Sequence, residues 1–121
     1  MVDELGRDEF FYSIIDRNFE LAHDLIRTVE NLNYQDKNGY SYLHAAVQSG
    51  LQEIVTLLIE KGADINAQDK FGRTPLMVAI IYNRDNYDMI SYLVNSGANP
   101  DIKTHAGVSS RELAKKNGIE L

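Results

Sequence analysis

The sequence has 121 residues, a formal net charge of −6 and no cysteine. Its 44% hydrophobic and 25% charged residues are typical of one soluble globular domain and argue against a disordered or collagen-like chain. The lack of cysteine excludes disulfides, thiolate zinc sites and a cysteine nucleophile, and no apolar run approaches the ~18 residues of a membrane span. We therefore expect a cytoplasmic domain, residues 1–121, with no cofactor and no membrane contact.

Acidic side chains are concentrated at the N-terminal end. Residues 1–35 contain eight acidic residues and three arginines, so eight minus three leaves five excess negative charges, whereas residues 36–121 contain ten acidic and nine basic residues. Such an end repels a phosphate backbone and attracts a basic protein surface at moderate salt. This pattern predicts no nucleic-acid partner and favours a basic protein partner, with solubility alone as the alternative explanation.

A 33-residue period organises the chain. Asp36 and Gly39 recur 33 residues later as Asp69 and Gly72, with the order of polar and apolar positions kept between them. A fixed period of this length indicates a stack of repeated units, each of which buries its apolar face on its neighbours. The predicted units are residues 3–35, 36–68, 69–103 and 104–121.

The first unit is a degenerate copy. Asp8 is a candidate helix N-cap, and apolar residues recur after it at helical spacing. A second helix is predicted from about Asn18 to Thr28. Where the second unit has Gly62, this unit has Val29, so its helix should end without a left-handed glycine and with a different exit turn.

The second unit is the most regular. Asp36 to Gly39 have the composition of a tight turn, after which Ser41 should cap a helix that runs through about Ser49. A second helix is predicted over Gln52 to Lys61, with Gly62 at its left-handed end.

The third and fourth units depart from this pattern. Thr74 and Pro75 predict a cap followed by proline in the first helical position, where its missing amide costs nothing. Spacing predicts two added residues within Asn83 to Asp88. The last unit has one helix, and Arg111 occupies a leucine position, as expected for a unit that faces water.

The segments GYSYLHAA, GRTPLMVA, GADINAQD and GANPDIK are similar to the ankyrin-repeat family, and the resemblance covers nearly the whole chain. Tyr42, Met77 and Arg111 depart from the family pattern. The resemblance implies an all-α solenoid of stacked helix-turn-helix units joined by β-hairpin-like turns, with atypical capping repeats at both ends. It also implies a concave face that binds proteins and no common catalytic residues.

The family's variable, outward positions fall on the turns and on the first helices of the units. We expect aromatic and arginine side chains among them to contribute most to binding, since these types dominate interface energies. The alternative for Tyr40 and Phe71 is packing on neighbouring turns. The predicted protein-binding residues are Lys37, Asn38, Tyr40, Gln48, Ser49, Lys70, Phe71, Arg73, Ile81, Tyr82, Asp16 and His105, with Ile15, Gln35, Gln68, Lys116 and Asn117 at the edges.

No other group of residues in the sequence predicts a metal site or a catalytic site. His23, His44 and His105 come from different positions of different units, with no paired metal-ligand spacing. His44 matches the histidine of the family's TPLH segment, and the resemblance implies that it bonds backbone and capping hydroxyls. No serine lies in a glycine elbow, and no glycine-rich phosphate loop is present.

The leading hypothesis is a small protein-binding module, monomeric when free, that acts as an inhibitor or immunity-type protein toward one cognate protein, such as a basic enzyme or toxin. This step is an analogy with small acidic ankyrin proteins that act as antidotes. The alternative is an adaptor that recruits a partner without inhibiting it, including a fragment of a longer array. Arg111 and the end at Leu121 argue against a fragment. An enzyme is the third hypothesis.

Overall fold

The computed structural model describes residues 1–121 and contains seven α-helices, one 3-10 turn and no β-strand beyond two isolated bridges. None of the helices is long and apolar enough to span a membrane. The helices are α1 (Glu9–Ile15), α2 (Phe19–Leu25), α3 (Tyr42–Gln48), α4 (Gln52–Glu60), α5 (Pro75–Tyr82), α6 (Tyr87–Asn95) and α7 (Ser110–Lys116).

The helices pack in consecutive pairs that stack on one another. α1 contacts α2, α3 contacts α4, and α5 contacts α6, whereas α7 has no second helix in its unit. The first helices of the units form a continuous row in which α1 contacts α3, α3 contacts α5 and α5 contacts α7. We call these four the inner helices. This arrangement confirms the predicted all-α stack.

The inner helices begin at side chains that cap them. Asp8, Ser41, Thr74 and Ser109 each accept a hydrogen bond from the backbone amide three residues on, at distances from 2.9 to 3.4 Å. The caps predicted at the first three positions are confirmed, as is Pro75 in the first helical position. Helices of seven or eight residues are too short to be stable alone, so packing between units must hold them.

One hydrophobic core runs through the stack. It contains 23 buried residues drawn from all four units. In α5 every residue from Pro75 to Ile80 is buried, because α3, α6 and α7 cover it on different sides. The apolar stripe of α4, which includes Ile54 and Leu58, is likewise inaccessible to solvent. Burial of this kind contributes roughly 1.5–3 kcal/mol per large side chain.

A tight turn, which we call a finger, precedes each inner helix and contains Gly6, Gly39, Gly72 or Gly107. The carboxylate of Asp36 accepts hydrogen bonds from the amides of Asn38 (2.8 Å) and Tyr40 (2.9 Å), and Asp69 makes the equivalent bonds in the next unit. Gly39 has φ +76°, a conformation that glycine adopts without steric cost. The predicted turn over Asp36 to Gly39 is therefore confirmed.

Backbone hydrogen bonds join each finger to the next one. In each case an amide of the later finger donates to a carbonyl of the earlier one, so the fingers form a ladder along the stack. The bonds are Lys37 N to Leu5 O at 2.9 Å, Lys70 N to Asn38 O at 2.9 Å and His105 N to Phe71 O at 3.0 Å.

Two glutamines reinforce the finger ladder. The amide of Gln35 donates to the carbonyls of Gly39 (2.7 Å) and Gln68 (2.9 Å), and Gln68 donates in the same way to Gly72 and Lys103. Both glutamines were predicted as edge positions of the binding surface. Both side chains are exposed, and their amide nitrogens make bonds that tie consecutive units together.

The terminal units differ from the inner ones as predicted. α2 ends at Leu25 and continues as a 3-10 turn over Ile26–Thr28, and Val29 has φ −74°, where Gly62 has φ +98°. At the other end, the exposed side chain of Arg111 bonds to Asp101 through Nε (2.7 Å) and Nη2 (3.2 Å).

The third unit has a longer inner helix and a longer loop after it than the second unit. α5 is eight residues long where α3 has seven, and four residues separate α5 from α6 where three separate α3 from α4. Tyr82 still keeps the 33-residue register with Ser49, and the offset has become 35 residues at the start of α6, so the structure is consistent with the predicted insertion within Asn83 to Asp88. In the loop, Asn83 donates from Nδ2 to the carbonyl of Val47 at 2.8 Å and so links it to the end of α3.

Candidate protein-binding surface

The fingers and the inner helices meet in a groove of about 260 Å³, which we call the central groove. Side chains from three successive units line it, and seven of the twelve predicted binding residues are among them. The lining residues are Arg7, Asn38, Tyr40, Gln48, Lys70, Phe71, Arg73 and Tyr82.

The other predicted residues lie around this groove. Ser49 lines an adjoining pocket of about 260 Å³ together with Ile15. Ile81 and His105 line a larger, mostly apolar pocket of about 560 Å³, which we call the apolar groove. Lys37 and Asp16 are exposed but line none of these three pockets.

Tyr40 is held inside the stack. Its ring stacks on the His44 ring with centroids 4.9 Å apart and an interplanar angle of 25°, and its hydroxyl donates to Gln48 Oε1 at 2.6 Å. Burial raises the pKa of the Tyr40 hydroxyl above its ordinary value, so the side chain remains neutral at physiological pH. Tyr40 therefore forms part of the groove wall and packs on α3 of its own unit.

Phe71 projects from its finger and is 53% exposed. Lys70 Nζ and Arg73 Cζ each lie 5.0 Å from the centroid of its ring. Cations at this distance from an aromatic ring attract its π-electrons, so they fix the orientation of the ring without covering it. Phe71 is thus an ordered apolar surface available to a partner.

Tyr82 is the last residue of α5 and is 51% exposed. Its hydroxyl makes no hydrogen bond within the chain, and its ring stacks on no other aromatic ring. A tyrosine in this state offers both a large apolar face and a free donor, which is the combination that contributes most at protein interfaces.

Two arginines in the central groove rest on buried carboxylates. Arg73 Nε lies 2.7 Å from Asp69 Oδ2 and Arg7 Nε lies 3.1 Å from Asp36 Oδ2, and the carboxylate side chains are 1% and 0% exposed. Burial by itself would lower the pKa of each guanidinium, but the bonded carboxylate outweighs it and the pKa values are raised. Both arginines therefore remain cationic.

Arg7 belongs to the central groove but was absent from the predicted residues. It precedes Tyr40 by 33 residues and Arg73 by 66, so the three occupy the same position in successive units. This register was visible in the sequence and could have identified Arg7. The weak similarity of the first unit to the others concealed it.

His44 has the structural role that the resemblance implied. Its Nδ1 accepts from the Ser41 amide at 3.1 Å, and its Nε2 donates to the Arg73 carbonyl at 2.8 Å, which joins the second unit to the third. His23 and His105 are exposed and lie in other units. The structure brings together no group of three or more histidine or acidic side chains that could hold a metal ion.

Comparison with known proteins agrees with this architecture. Residues 10–104 match the family model described as ankyrin repeats in three copies. The B-cell lymphoma 3 protein homolog of Mus musculus is 40% identical over 90 residues, which are 74% of this chain and 20% of that protein. The BCL-6 corepressor-like protein 1 of Homo sapiens is 33% identical over 91 residues, which are 75% of this chain and 5% of that protein.

A third relative covers almost the whole sequence. The ankyrin and IPT/TIG repeat-containing protein of Schizosaccharomyces pombe is 34% identical over 120 residues, 98% of this chain and 10% of that protein. This chain therefore spans between one twentieth and one fifth of the length of these three relatives. Ankyrin repeats are protein-interaction modules and are generally not catalytic, and the match over residues 10–104 shows that this chain belongs to the ankyrin-repeat family.

Proposed function

We propose that this protein binds one partner protein through the central groove and the fingers beside it. The observation that carries the proposal is the state of Phe71 and Tyr82. Each exposes about half of a large aromatic surface at the groove, and each is attached to a well-packed element. Neither ring is needed to fill the core, so folding alone gives no reason for an aromatic residue at these positions.

Rigid attachment makes these aromatic side chains effective contacts. The finger that carries Phe71 is bonded to its neighbours through Lys70 N and His105 N, and α5 is buried on several sides. A partner therefore does not have to order the surface on binding, and the entropic cost of association is smaller.

The test replaces the exposed aromatic residues and compares them with a matched control. Phe71→Ala and Tyr82→Ala remove groove side chains, whereas Tyr87→Ala removes a tyrosine of equal exposure, 51%, at the start of α6 outside the groove. Tyr40 is left intact because it packs on His44. For a partner isolated with the native protein, each groove substitution should weaken binding by roughly 30-fold, equivalent to about 2 kcal/mol.

The measurement is the dissociation constant by calorimetry, with circular dichroism to check that each variant is folded. Tyr87→Ala should leave the constant unchanged. If the double variant Phe71→Ala/Tyr82→Ala binds as tightly as the native protein, the groove is not the binding surface and the proposal is wrong.

Within this function, we further propose that binding neutralises a single cognate protein, such as a basic enzyme or toxin. The five excess negative charges of residues 1–35 support a basic partner, since long-range attraction accelerates encounter. Titration of the isolated partner with this protein should abolish its activity at one equivalent. Activity that survives saturation contradicts inhibition.

The alternative is an adaptor that recruits its partner. It is favoured by the relatives, in which the matched repeats are 5% to 20% of a longer protein and one of which is named a corepressor-like protein. The same titration separates the two functions, because an adaptor leaves the activity of a saturated partner unchanged. Several unrelated partners recovered through the same groove would also favour the adaptor.

A further inference from the structure

The charge of the central groove is opposite to that of the protein as a whole. Three of its eight lining side chains are cationic, namely Arg7, Lys70 and Arg73, and none is acidic. The net charge of the chain is −6. We propose that the central groove and the apolar groove together bind a segment of the partner protein in which an aspartate or glutamate adjoins a bulky apolar residue. This inference rests on the proposed function.

The cationic side chains have free donors that face the groove. Arg73 uses Nε for Asp69, and neither of its terminal nitrogens makes a hydrogen bond within the chain. Lys70 Nζ has one bond, to Asn38 Oδ1 at 3.1 Å. A carboxylate accepts two such donors at once, and a bidentate bond to arginine is among the strongest polar contacts in proteins.

The nearby carboxylates cannot satisfy these donors. Asp36 and Asp69 lie beneath the arginines with side chains 0% and 1% exposed, and each is already bonded to backbone amides of its own finger. They balance the charges of Arg7 and Arg73 and leave Lys70 as an uncompensated cation at the surface. A ligand carboxylate would supply the missing charge.

The apolar groove supplies the second half of the site. Phe71 and Arg73 line both grooves, so the two grooves adjoin at this pair of side chains. Beyond them the apolar groove is lined by Met77, Ile81 and Val108, among others. A ligand that places its carboxylate at Lys70 and Arg73 can therefore bury a neighbouring apolar side chain on the far side of Phe71.

The same cations and aromatic rings are also typical of surfaces that bind single-stranded nucleic acid. The net charge of −6 argues against that class, because a nucleic acid presents many phosphates while the groove offers one uncompensated cation. A single carboxylate on a protein segment requires only this local charge. We therefore assign the site to an acidic protein segment.

The inference is tested by selecting random 12-residue peptides displayed on phage for binding to the intact protein. The selected peptides should be enriched in aspartate or glutamate next to leucine, isoleucine, phenylalanine, tyrosine or tryptophan. Synthetic copies of the best binders should lose about tenfold or more in affinity for Lys70→Glu, and similarly when their own acidic residue is replaced by its amide. Ile81→Ser should weaken binding of the same peptides.

Lys61→Glu is the matched control, since Lys61 is an exposed lysine at the end of α4 and lines none of the grooves. It should leave peptide affinity unchanged. A labelled single-stranded oligothymidine is the second probe, and tighter binding of it than of the peptides, lost in Lys70→Glu, overturns the assignment.

The outcomes separate this inference from the proposed function. Peptides that lack acidic residues, or whose affinity is unaffected by Lys70→Glu, overturn the inference. If those peptides, or the native partner, still bind less tightly to Phe71→Ala/Tyr82→Ala, the proposed function stands. A selection that enriches no peptide from a library containing acidic–apolar sequences also contradicts the inference.

Discussion

At the scale of single residues, Tyr40 and Phe71 show how neighbouring side chains decide the role of an aromatic ring. Both are finger residues and both were predicted to bind a partner. Tyr40 has His44 within stacking distance and Gln48 within hydrogen-bond distance, so it is held in the wall of the groove. Phe71 lies beside two cations, Lys70 and Arg73, and remains 53% exposed.

His44 connects residue chemistry to stability. Burial lowers the pKa of its imidazole below the ordinary value of 6.5. The unfolded chain, in which the pKa is ordinary, therefore binds more protons than the folded one just below pH 6.5. The free energy of unfolding must fall as the pH decreases through 6.5 toward the lowered folded pKa, and the contribution of neutral His44 is fully present above this window.

We expect His44→Gln to remove the part of the pH dependence of stability that His44 causes. A glutamine at this position can still accept from the Ser41 amide as in a capping box, but it loses the bond to the Arg73 carbonyl. Urea unfolding at pH 8 should show a loss of about 1 kcal/mol, and the decline in stability between pH 7 and pH 5 should be shallower than in the native protein.

His23→Gln is the control, because His23 is exposed and makes no hydrogen bond through its ring. It should leave the decline unchanged. An equally steep decline in His44→Gln and in the native protein would show that other groups cause the loss of stability in acid.

At the scale of elements, Gly39 in the finger of the second unit is required for two separate reasons, its backbone conformation and the space it leaves for the next finger. Gly39 has φ +76°, and a Cβ at this position would lie 2.7 Å from Lys70 N, the amide that joins the second finger to the third. Gly62 at the end of α4 has φ +98° and no atom within 4 Å of the added Cβ. A substitution at Gly62 therefore measures the cost of the backbone conformation alone, whereas one at Gly39 adds the cost of the steric contact.

We expect Gly62→Ala to lower the free energy of unfolding by about 1 kcal/mol, the cost of a left-handed conformation for a residue with a Cβ. Gly39→Ala should cost about 1–3 kcal/mol more, because the added carbon must displace the next finger. Equilibrium urea unfolding of both variants measures the difference. Equal losses would mean that the third finger can move away from the added carbon without a loss of stability.

At the scale of the whole molecule, the position of a unit in the stack determines how strongly it is held. α3 and α5 are covered by inner helices on both sides, whereas α1 and α7 each have an inner helix on one side only. Repeat proteins derive their stability from each unit and from its interfaces with adjacent units. The ends of this stack should therefore open before its centre.

Native-state hydrogen exchange tests this expectation. Amides of α3 and α5 should exchange only when the whole chain unfolds, and their exchange should depend steeply on urea. Amides of α7 should exchange at least about tenfold faster through local opening. Uniform protection along the chain would contradict it and would show that the four units unfold as one cooperative body.

Much of this architecture follows from local signals in the sequence. The 33-residue period, the caps at Ser41 and Thr74 and the finger at Asp36 were predictable because each depends on residues within a few positions of one another. His44 was predictable only through the family resemblance, since one of its two partners lies in the next unit.

The shape and charge of the candidate binding surface were decided by the tertiary structure. The periodicity could align Arg7, Tyr40 and Arg73, but only the folded structure shows that the arginines rest on buried Asp36 and Asp69 while Tyr40 is held in place. The sequence by itself therefore determined the repeated fold, because caps and turns act over short stretches of chain. Only the folded stack decided which side chains remain available and which charge the central groove presents, because burial and part of the hydrogen bonding and ion pairing join residues 29 positions apart in the sequence.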